Sequence, residues 1–115
     1  PTILSEVKPG MPVFDEEVFG PVISISHYES IDDLLNMVNS SVFGLGASIW
    51  TKDINFAKRL INKVYVGNVF INSSVRSDPR LPYGGVKLSG YGRELGYIGI
   101  REFTNVKTVV VKSLA

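Results

Sequence analysis

The strongest constraint on the fold of this chain is a glycine-rich run from Pro82 to Glu94. Four glycines fall between Gly84 and Gly92, and Tyr, Lys and Arg residues are interleaved among them. Flexible linkers consist mostly of Gly and Ser, so this run is not typical of a linker. Glycines at fixed positions indicate a backbone that needs positive φ angles or passes very close to another group. The run therefore predicts a loop of defined conformation, and such loops often form part of a binding or catalytic site.

A phosphate-binding loop is a different interpretation of the same glycines, and the sequence excludes it. The run has no Gly-Lys-Ser or Gly-Lys-Thr ending. It also does not stand between a strand and a helix of a nucleotide-binding fold.

Composition narrows the class of protein. The 115 residues fit one domain or part of one. The net charge of +1 is too small to indicate binding to nucleic acid or to an anionic membrane. We therefore expect neither as a partner. The chain contains no cysteine, which excludes disulfides and thiol nucleophiles within it and fits a reducing, cytoplasmic compartment. We expect no metal site. The first residue is Pro1 rather than Met, so we expect a piece of a longer protein.

Strand and helix patterns alternate along the chain. Strands are predicted at 3–7, 22–28, 47–50, 68–72 and 106–112. Ser30 is the predicted N-cap of one helix and Asp53 of a second. A short third helix is predicted between 96 and 103. The alternation predicts an α/β fold with a βαβαβ parallel sheet, flanking helices and right-handed crossovers.

A second motif, Glu-Glu-Val-Phe-Gly-Pro, runs from Glu16 to Pro21 and allows two interpretations. A turn with two solvated carboxylates is a common entry into a strand. Alternatively, a carboxylate fixed on a rigid turn can accept both hydroxyls of a ribose, and a neighbouring aromatic ring can pack on a flat ring.

In order and spacing, these two motifs and the final strand resemble the C-terminal part of the aldehyde dehydrogenase superfamily. The resemblance covers essentially the whole chain. The Phe-Ile-Asn segment at 70–72 and the Ser-Asp-Pro-Arg-Leu-Pro segment at 77–82 look like the succinate-semialdehyde dehydrogenase branch. The resemblance implies the C-terminal portion of the catalytic domain at residues 1–102 and an oligomerisation strand at residues 103–115.

The resemblance also implies roles for individual residues. Glu17 would hold the nicotinamide ribose of NAD or NADP, and Phe19 would contact the nicotinamide. Tyr83 would line the aldehyde pocket, where the family usually has Phe; core packing is the alternative. In the family's specificity loop, which corresponds to residues 72–81, Arg76 and Ser77 would bind a polar or anionic substrate tail, because guanidinium and hydroxyl groups bind carboxylates well. A solvated connection is the alternative there. The guanidinium of Arg80 favours an anionic substrate tail for the same reason.

The run's last two charged residues, Arg93 and Glu94, are predicted to anchor the loop through ion pairs or caps. They are structural in this interpretation and take no part in catalysis.

The family's reaction needs a cysteine nucleophile, which this chain lacks. In the family it lies upstream, so no catalytic residue is assigned here. We expect the chain alone to be inactive and to bind no cofactor tightly. The full-length enzyme would oxidise an aldehyde, a semialdehyde in this branch, to the carboxylate.

We also expect a homo-oligomer, formed through the strand at 106–112, because open apolar strand edges invite pairing with another chain. Two alternatives from other classes stay open: a non-catalytic assembly or regulatory module, such as the product of a split gene, and an unrelated α/β binding domain.

Overall fold

The computed structural model describes residues 1–114. Its strands are β1 (Thr2–Leu4), β2 (Val22–Ser24), β3 (Phe43–Gly44), β4 (Gly46–Ile49), β5 (Asn68–Ile71) and β6 (Val86–Lys87). Its helices are α1 (Pro12–Asp15), α2 (Ile31–Ser40), α3 (Ile54–Ile61) and α4 (Gly96–Arg101). Of these elements, α1, β3 and β6 are absent from the sequence prediction.

The α/β class is confirmed, but the strands are paired differently from the expected single sheet. Within residues 1–114 they form three two-stranded sheets. Strands β1 and β2 are parallel, β4 and β5 are parallel, and β3 and β6 are antiparallel. Strand β2 lies in register with β1, with Ile3 opposite Ile23, and it does not join β4. The prediction assumed that strands consecutive along the chain would share one sheet, and short strands alone do not determine their partners.

Both predicted helix caps are confirmed. The Ser30 hydroxyl accepts a hydrogen bond from the Asp33 amide at 3.1 Å, and α2 begins at the next residue. The Asp33 carboxylate accepts in turn from the amide of Glu29 at 3.1 Å, one residue earlier than in the usual capping box. The Asp53 carboxylate accepts from the Phe56 amide at 2.8 Å at the start of α3. These bonds satisfy amides that have no partner inside their helix.

The β4–α3–β5 segment is the parallel crossover unit that the sequence predicted. The two strands pair from Gly46 opposite Asn68 to Ile49 opposite Ile71. Helix α3 buries Ala57 completely and Leu60 to 5% exposure. Strand β5 is strongly apolar but only half-buried along its whole length. Other residues of this chain therefore cover only part of β5.

The chain exposes far more surface than a compact protein of its size. Its accessible surface is 9322 Å², whereas a folded monomer of this mass exposes about 6,200 Å². Its radius of gyration is 19.4 Å and its longest extent is 75 Å, whereas a compact domain of this length has a radius of gyration of about 13 Å. The fold therefore leaves large apolar faces without cover inside residues 1–114.

The predicted strand at 106–112 pairs with no other strand within residues 1–114. Its side chains are exposed, and Val106 reaches 94% exposure. The proposed boundary at residue 103 falls just after α4, and Ala115 lies outside the described residues. Along residues 1–114, no helix is both long enough and apolar enough to cross a bilayer.

Candidate functional site

The glycine-rich run forms a loop whose two ends are joined. Tyr83 and Glu94 exchange backbone hydrogen bonds at 2.8 Å in both directions. Between them, Gly90 and Gly92 adopt φ angles of +104° and +82°, which side chains with a Cβ rarely adopt. The predicted need for positive φ is confirmed at these two glycines.

The other two glycines of the run permit close approach. A Cβ added to Gly84 would lie 2.6 Å from the carbonyl oxygen of Gly92, and one added to Gly85 would lie 2.5 Å from the Cβ of Ser89. Both distances are far shorter than ordinary van der Waals contact. The loop therefore folds back on itself at a spacing that only glycine allows.

Arg93 stabilises the loop through hydrogen bonds to the loop's own backbone. Its Nη1 donates to the carbonyl oxygens of Gly85 at 2.8 Å and Gly92 at 2.6 Å. The predicted anchoring role is thus confirmed for Arg93, but it binds backbone carbonyls and no carboxylate. Glu94 contributes its backbone through the pairing with Tyr83.

Asn68, at the start of β5, fixes the loop to the parallel sheet. Its side-chain amide donates to the carbonyl oxygen of Gly84 at 2.8 Å and to that of Leu45 at 2.9 Å. Gly67 lies so close to the loop that an added Cβ would be 2.7 Å from the carbonyl carbon of Gly84. No local sequence pattern indicates this role of Asn68, because its partners are 16 and 23 residues away along the chain.

Lys87 fixes the far side of the loop to α2. Its ammonium donates to the carbonyl oxygens of Asn39 at 2.9 Å and Ser41 at 2.8 Å, at the C-terminal end of that helix. A cation there is favourable because the last carbonyls of a helix have no partner inside it. The loop is therefore held by both β5 and α2.

Glu17 lies at the edge of a groove of about 560 Å³. The groove runs between the end of α2, the turn from β3 to β4 and the glycine-rich loop. Its other lining residues include Ser41, Gly44, Leu45, Leu88 and Ser89. Glu17 is exposed, so its carboxylate is available to a ligand. Phe19 is 90% exposed and does not pack in the core.

Tyr83 lies in a second, adjoining groove of about 390 Å³. Residues of both halves of the glycine-rich loop line it, together with Glu102 and Phe103. Leu45 and Ser89 line both grooves. The hydroxyl of Ser89 accepts a hydrogen bond from the Gly44 amide at 2.9 Å, which fixes the wall between the two grooves. No sequence pattern predicted a site role for Leu45 or Ser89.

Arg76 and Ser77 lie outside both grooves. They line a shallow pocket with Asp78, Pro79 and Arg80, and both are exposed. The structure of this chain therefore brings Glu17 and Tyr83 to neighbouring grooves but leaves the two specificity-loop residues on a separate surface.

Arg80 is engaged by Asp78. Its Nε and Nη2 donate to the two carboxylate oxygens at 2.9 and 2.6 Å, and its backbone amide donates to Oδ1 at 2.9 Å. These hydrogen bonds, from the Arg80 side chain first and its amide second, hold the pKa of Asp78 well below its usual range. The same carboxylate raises the pKa of Arg80.

The sequence matches the model of the aldehyde dehydrogenase family over residues 1–109. The chain belongs to the aldehyde dehydrogenase family. Among curated relatives, it is 48% identical over 111 residues to a protein of Mycobacterium ulcerans named succinate-semialdehyde dehydrogenase NADP(+) 1. That match covers 96% of this chain and 24% of the relative. The chain thus spans about a quarter of the length of the curated relatives that it matches.

Solved aldehyde dehydrogenase structures contain a region of similar fold. A salicylaldehyde dehydrogenase from Pseudomonas putida complexed with salicylaldehyde aligns with a TM-score of 0.93 at 37% identity, over 98% of this chain and 24% of its own. A succinic semialdehyde dehydrogenase from Streptococcus pyogenes in complex with NADP+ aligns with a TM-score of 0.91 at 36% identity, over 96% and 24%. The predicted family is confirmed, and so is the likeness to succinate-semialdehyde dehydrogenases.

Proposed function

We propose that this chain is the C-terminal quarter of a cytoplasmic, NAD(P)-dependent aldehyde dehydrogenase that oxidises a semialdehyde to the carboxylate. It supplies binding surfaces for cofactor and substrate, and the cysteine nucleophile comes from the rest of the enzyme. The relatives named as succinate-semialdehyde dehydrogenases support the semialdehyde as substrate class.

The adjoining grooves are the observation on which this proposal depends. A dehydrogenase must hold its cofactor and its substrate side by side, because hydride passes directly between them. Glu17 borders one groove and Tyr83 the other, and Leu45 and Ser89 form the wall that the two grooves share. The two side chains that the family resemblance assigns to cofactor and substrate thus face neighbouring spaces.

The residues of the Glu17 groove suit a nicotinamide ribose. The exposed carboxylate can accept hydrogen bonds from two ribose hydroxyls, and the Ser41 hydroxyl lies on the same groove. Phe19 does not line this groove, but its exposed ring, two residues after Glu17, offers a flat apolar face to the nicotinamide. When bound, the dinucleotide accepts the hydride, while these side chains position its ribose and ring.

On the substrate side, Tyr83 lines the aldehyde pocket and the loop at 73–83 approaches the distal end of the substrate. The Tyr83 hydroxyl is a polar group that the family's usual Phe lacks, so this hydroxyl needs a hydrogen-bond partner when substrate is bound. Arg76 and Ser77 bind the carboxylate tail of the semialdehyde once the rest of the enzyme completes the tunnel. The strand at 106–112 pairs with another copy and assembles the homo-oligomer.

Replacement of Glu17 by Gln in the full-length enzyme tests the cofactor role. Loss of a charge-assisted hydrogen bond should raise the KM for NAD(P) by about ten- to hundredfold. Glu16→Gln is the matched control, since it removes the neighbouring carboxylate, which does not line the groove. An equal effect of both substitutions, or no effect of Glu17→Gln, would refute this assignment.

The isolated chain is expected to produce no NAD(P)H from any aldehyde, because it has no cysteine. Adding the polypeptide that carries the cysteine should restore activity if this chain is the missing quarter. Aldehyde-dependent NAD(P)H formation by the pure chain alone would contradict the proposal.

A further inference from the structure

The specificity loop contains two arginines in different environments. Arg80 is bound to Asp78 by three hydrogen bonds, two of them from its guanidinium. The Asp78 side chain is only 29% exposed, whereas that of Arg80 is 85% exposed. The Asp78 carboxylate thus lies against the loop, and the Arg80 guanidinium binds it from the solvent side.

The segment that holds this pair is itself fixed. The Leu81 amide donates to the carbonyl oxygen of Asp78 at 2.9 Å, and the Gly96 amide donates to that of Pro79 at 3.0 Å. Gly96 has a φ of +56°, and an added Cβ would lie 3.1 to 3.3 Å from backbone atoms of the loop. The Asp78–Arg80 pair therefore stabilises a turn that rests on the start of α4 and leads directly into Tyr83.

Arg76 lies just before this turn and is exposed. Among the residues of the described part of the chain, no hydrogen bond or ion pair engages its guanidinium within bonding distance. Its charge contributes only weakly to the low pKa of Asp78, behind every contribution of Arg80. Arg76 is thus available to an external anion, whereas Arg80 has its own carboxylate.

We propose that Asp78 divides the two arginines into different roles, so that Arg76 is the arginine that determines preference for an anionic substrate and Arg80 is a positioning residue. This inference rests on the proposed function. Asp78 occupies the Nε and Nη2 side of the Arg80 guanidinium, so a substrate carboxylate at the remaining Nη1 side would lie close to another anion. Asp78 is tethered two residues away, so its effective concentration is at least millimolar. It also balances the charge of the Arg80 guanidinium, so Arg80 attracts an external anion less strongly than the unpaired Arg76 does. The sequence expectation that Arg80 shares the substrate with Arg76 is replaced by this division.

The test compares two aldehydes of equal chain length in the full-length enzyme: succinate semialdehyde, which ends in a carboxylate, and butanal, which does not. The quantity measured is the ratio of kcat/KM for the first to kcat/KM for the second. Arg76→Gln should lower this ratio by about tenfold or more, since a charged hydrogen bond to the tail is lost. Arg76→Lys, which keeps the charge, should recover part of it.

Arg80→Gln is the matched substitution. It should lower kcat/KM for both aldehydes by the same factor and leave their ratio within about twofold, since a displaced turn affects Tyr83 whatever the tail. Asp78→Asn should not lower the ratio, because it leaves Arg80 free as a second cation. The double variant Asp78→Asn with Arg80→Gln should return the ratio to that of the wild type.

An Arg80→Gln ratio as low as that of Arg76→Gln would overturn the division of roles, and so would an unchanged ratio in Arg76→Gln. Either result, in an enzyme that still oxidises aldehydes, leaves the proposed function intact. A wild-type enzyme that oxidises neither aldehyde would instead refute the proposed function, and this inference with it.

Discussion

Expression of this chain without any covering polypeptide is expected to give a self-associating protein. The structure exposes 9322 Å², about 3,100 Å² more than a compact monomer of the same mass. A standard protein interface covers about 800 Å² on each partner. The uncovered surface therefore corresponds to several interfaces, and one partner strand cannot cover it.

Much of this surface is apolar. Large exposed side chains occur along the whole chain, including Ile23, Trp50 and Tyr91, and continue into the tail with Val109 and Val111. Exposed apolar patches of this extent are rare on soluble monomers and usually mark interaction sites. Association is therefore expected from the body of the chain as well as from the segment at 106–112.

Light scattering coupled to size-exclusion chromatography, over a wide range of protein concentrations, measures this directly. The average mass should exceed that of one chain and rise with concentration. Deletion of residues 105–115 should lower the mass without giving a pure monomer, since the body keeps its exposed apolar side chains. A strict monomer at every concentration, with a radius of gyration near 13 Å and one cooperative unfolding transition, would refute the reasoning.

Three further predictions concern the full-length enzyme. Gly67→Ala would drive a Cβ to within 2.7 Å of a backbone carbonyl carbon in the glycine-rich loop and should cost about 1–3 kcal/mol of stability. Gly20→Ala, where no heavy atom lies within 4 Å, is its control in thermal unfolding, and equal shifts would contradict the packing argument. Asn39→Ala removes hydrogen bonds of 2.8 and 2.9 Å between α2 and the segment after α3. It should speed hydrogen exchange at the Tyr65 amide by about fivefold or more, and unchanged exchange would show that the bond to this amide is dispensable. Hydrogen bonds from Arg80 lower the pKa of Asp78 in the folded protein. The ionised Asp78 carboxylate therefore stabilises the fold fully above its unfolded pKa of about 3.9, and this stabilisation is lost as the pH falls through the lower folded pKa. The stability difference between wild type and Asp78→Asn, followed by urea unfolding, should therefore be constant between about pH 5 and 8; a change within that window would assign the titration to another group.

Local features were predictable because their partners are close along the chain. The Ser30 and Asp53 caps bind amides only three residues away, so residue type and helical periodicity were sufficient to place both helices. The four-residue α1 and the two-residue strands β3 and β6 are too short to show a periodic pattern, and the sequence did not predict them.

The candidate site was predictable only in part. Glu17 and Tyr83 were found through motifs, and the structure places each on a groove. Leu45 and Ser89, which connect those grooves, have no local signal. The partner of each arginine in the specificity loop was also not predictable, since the sequence allows Arg80 to face either a substrate or its neighbour Asp78.

Sequence alone determined the family, the helix starts and the positions where only glycine fits, because these depend on residue type and on contacts within a few residues. Tertiary structure alone decided which strands pair, which grooves adjoin and which arginine remains available. Those outcomes depend on groups far apart in the chain, such as Lys87 and the end of α2, 46 and 48 residues away. Such contacts form only when packing brings distant backbone and side chains together, and no local pattern encodes their distance.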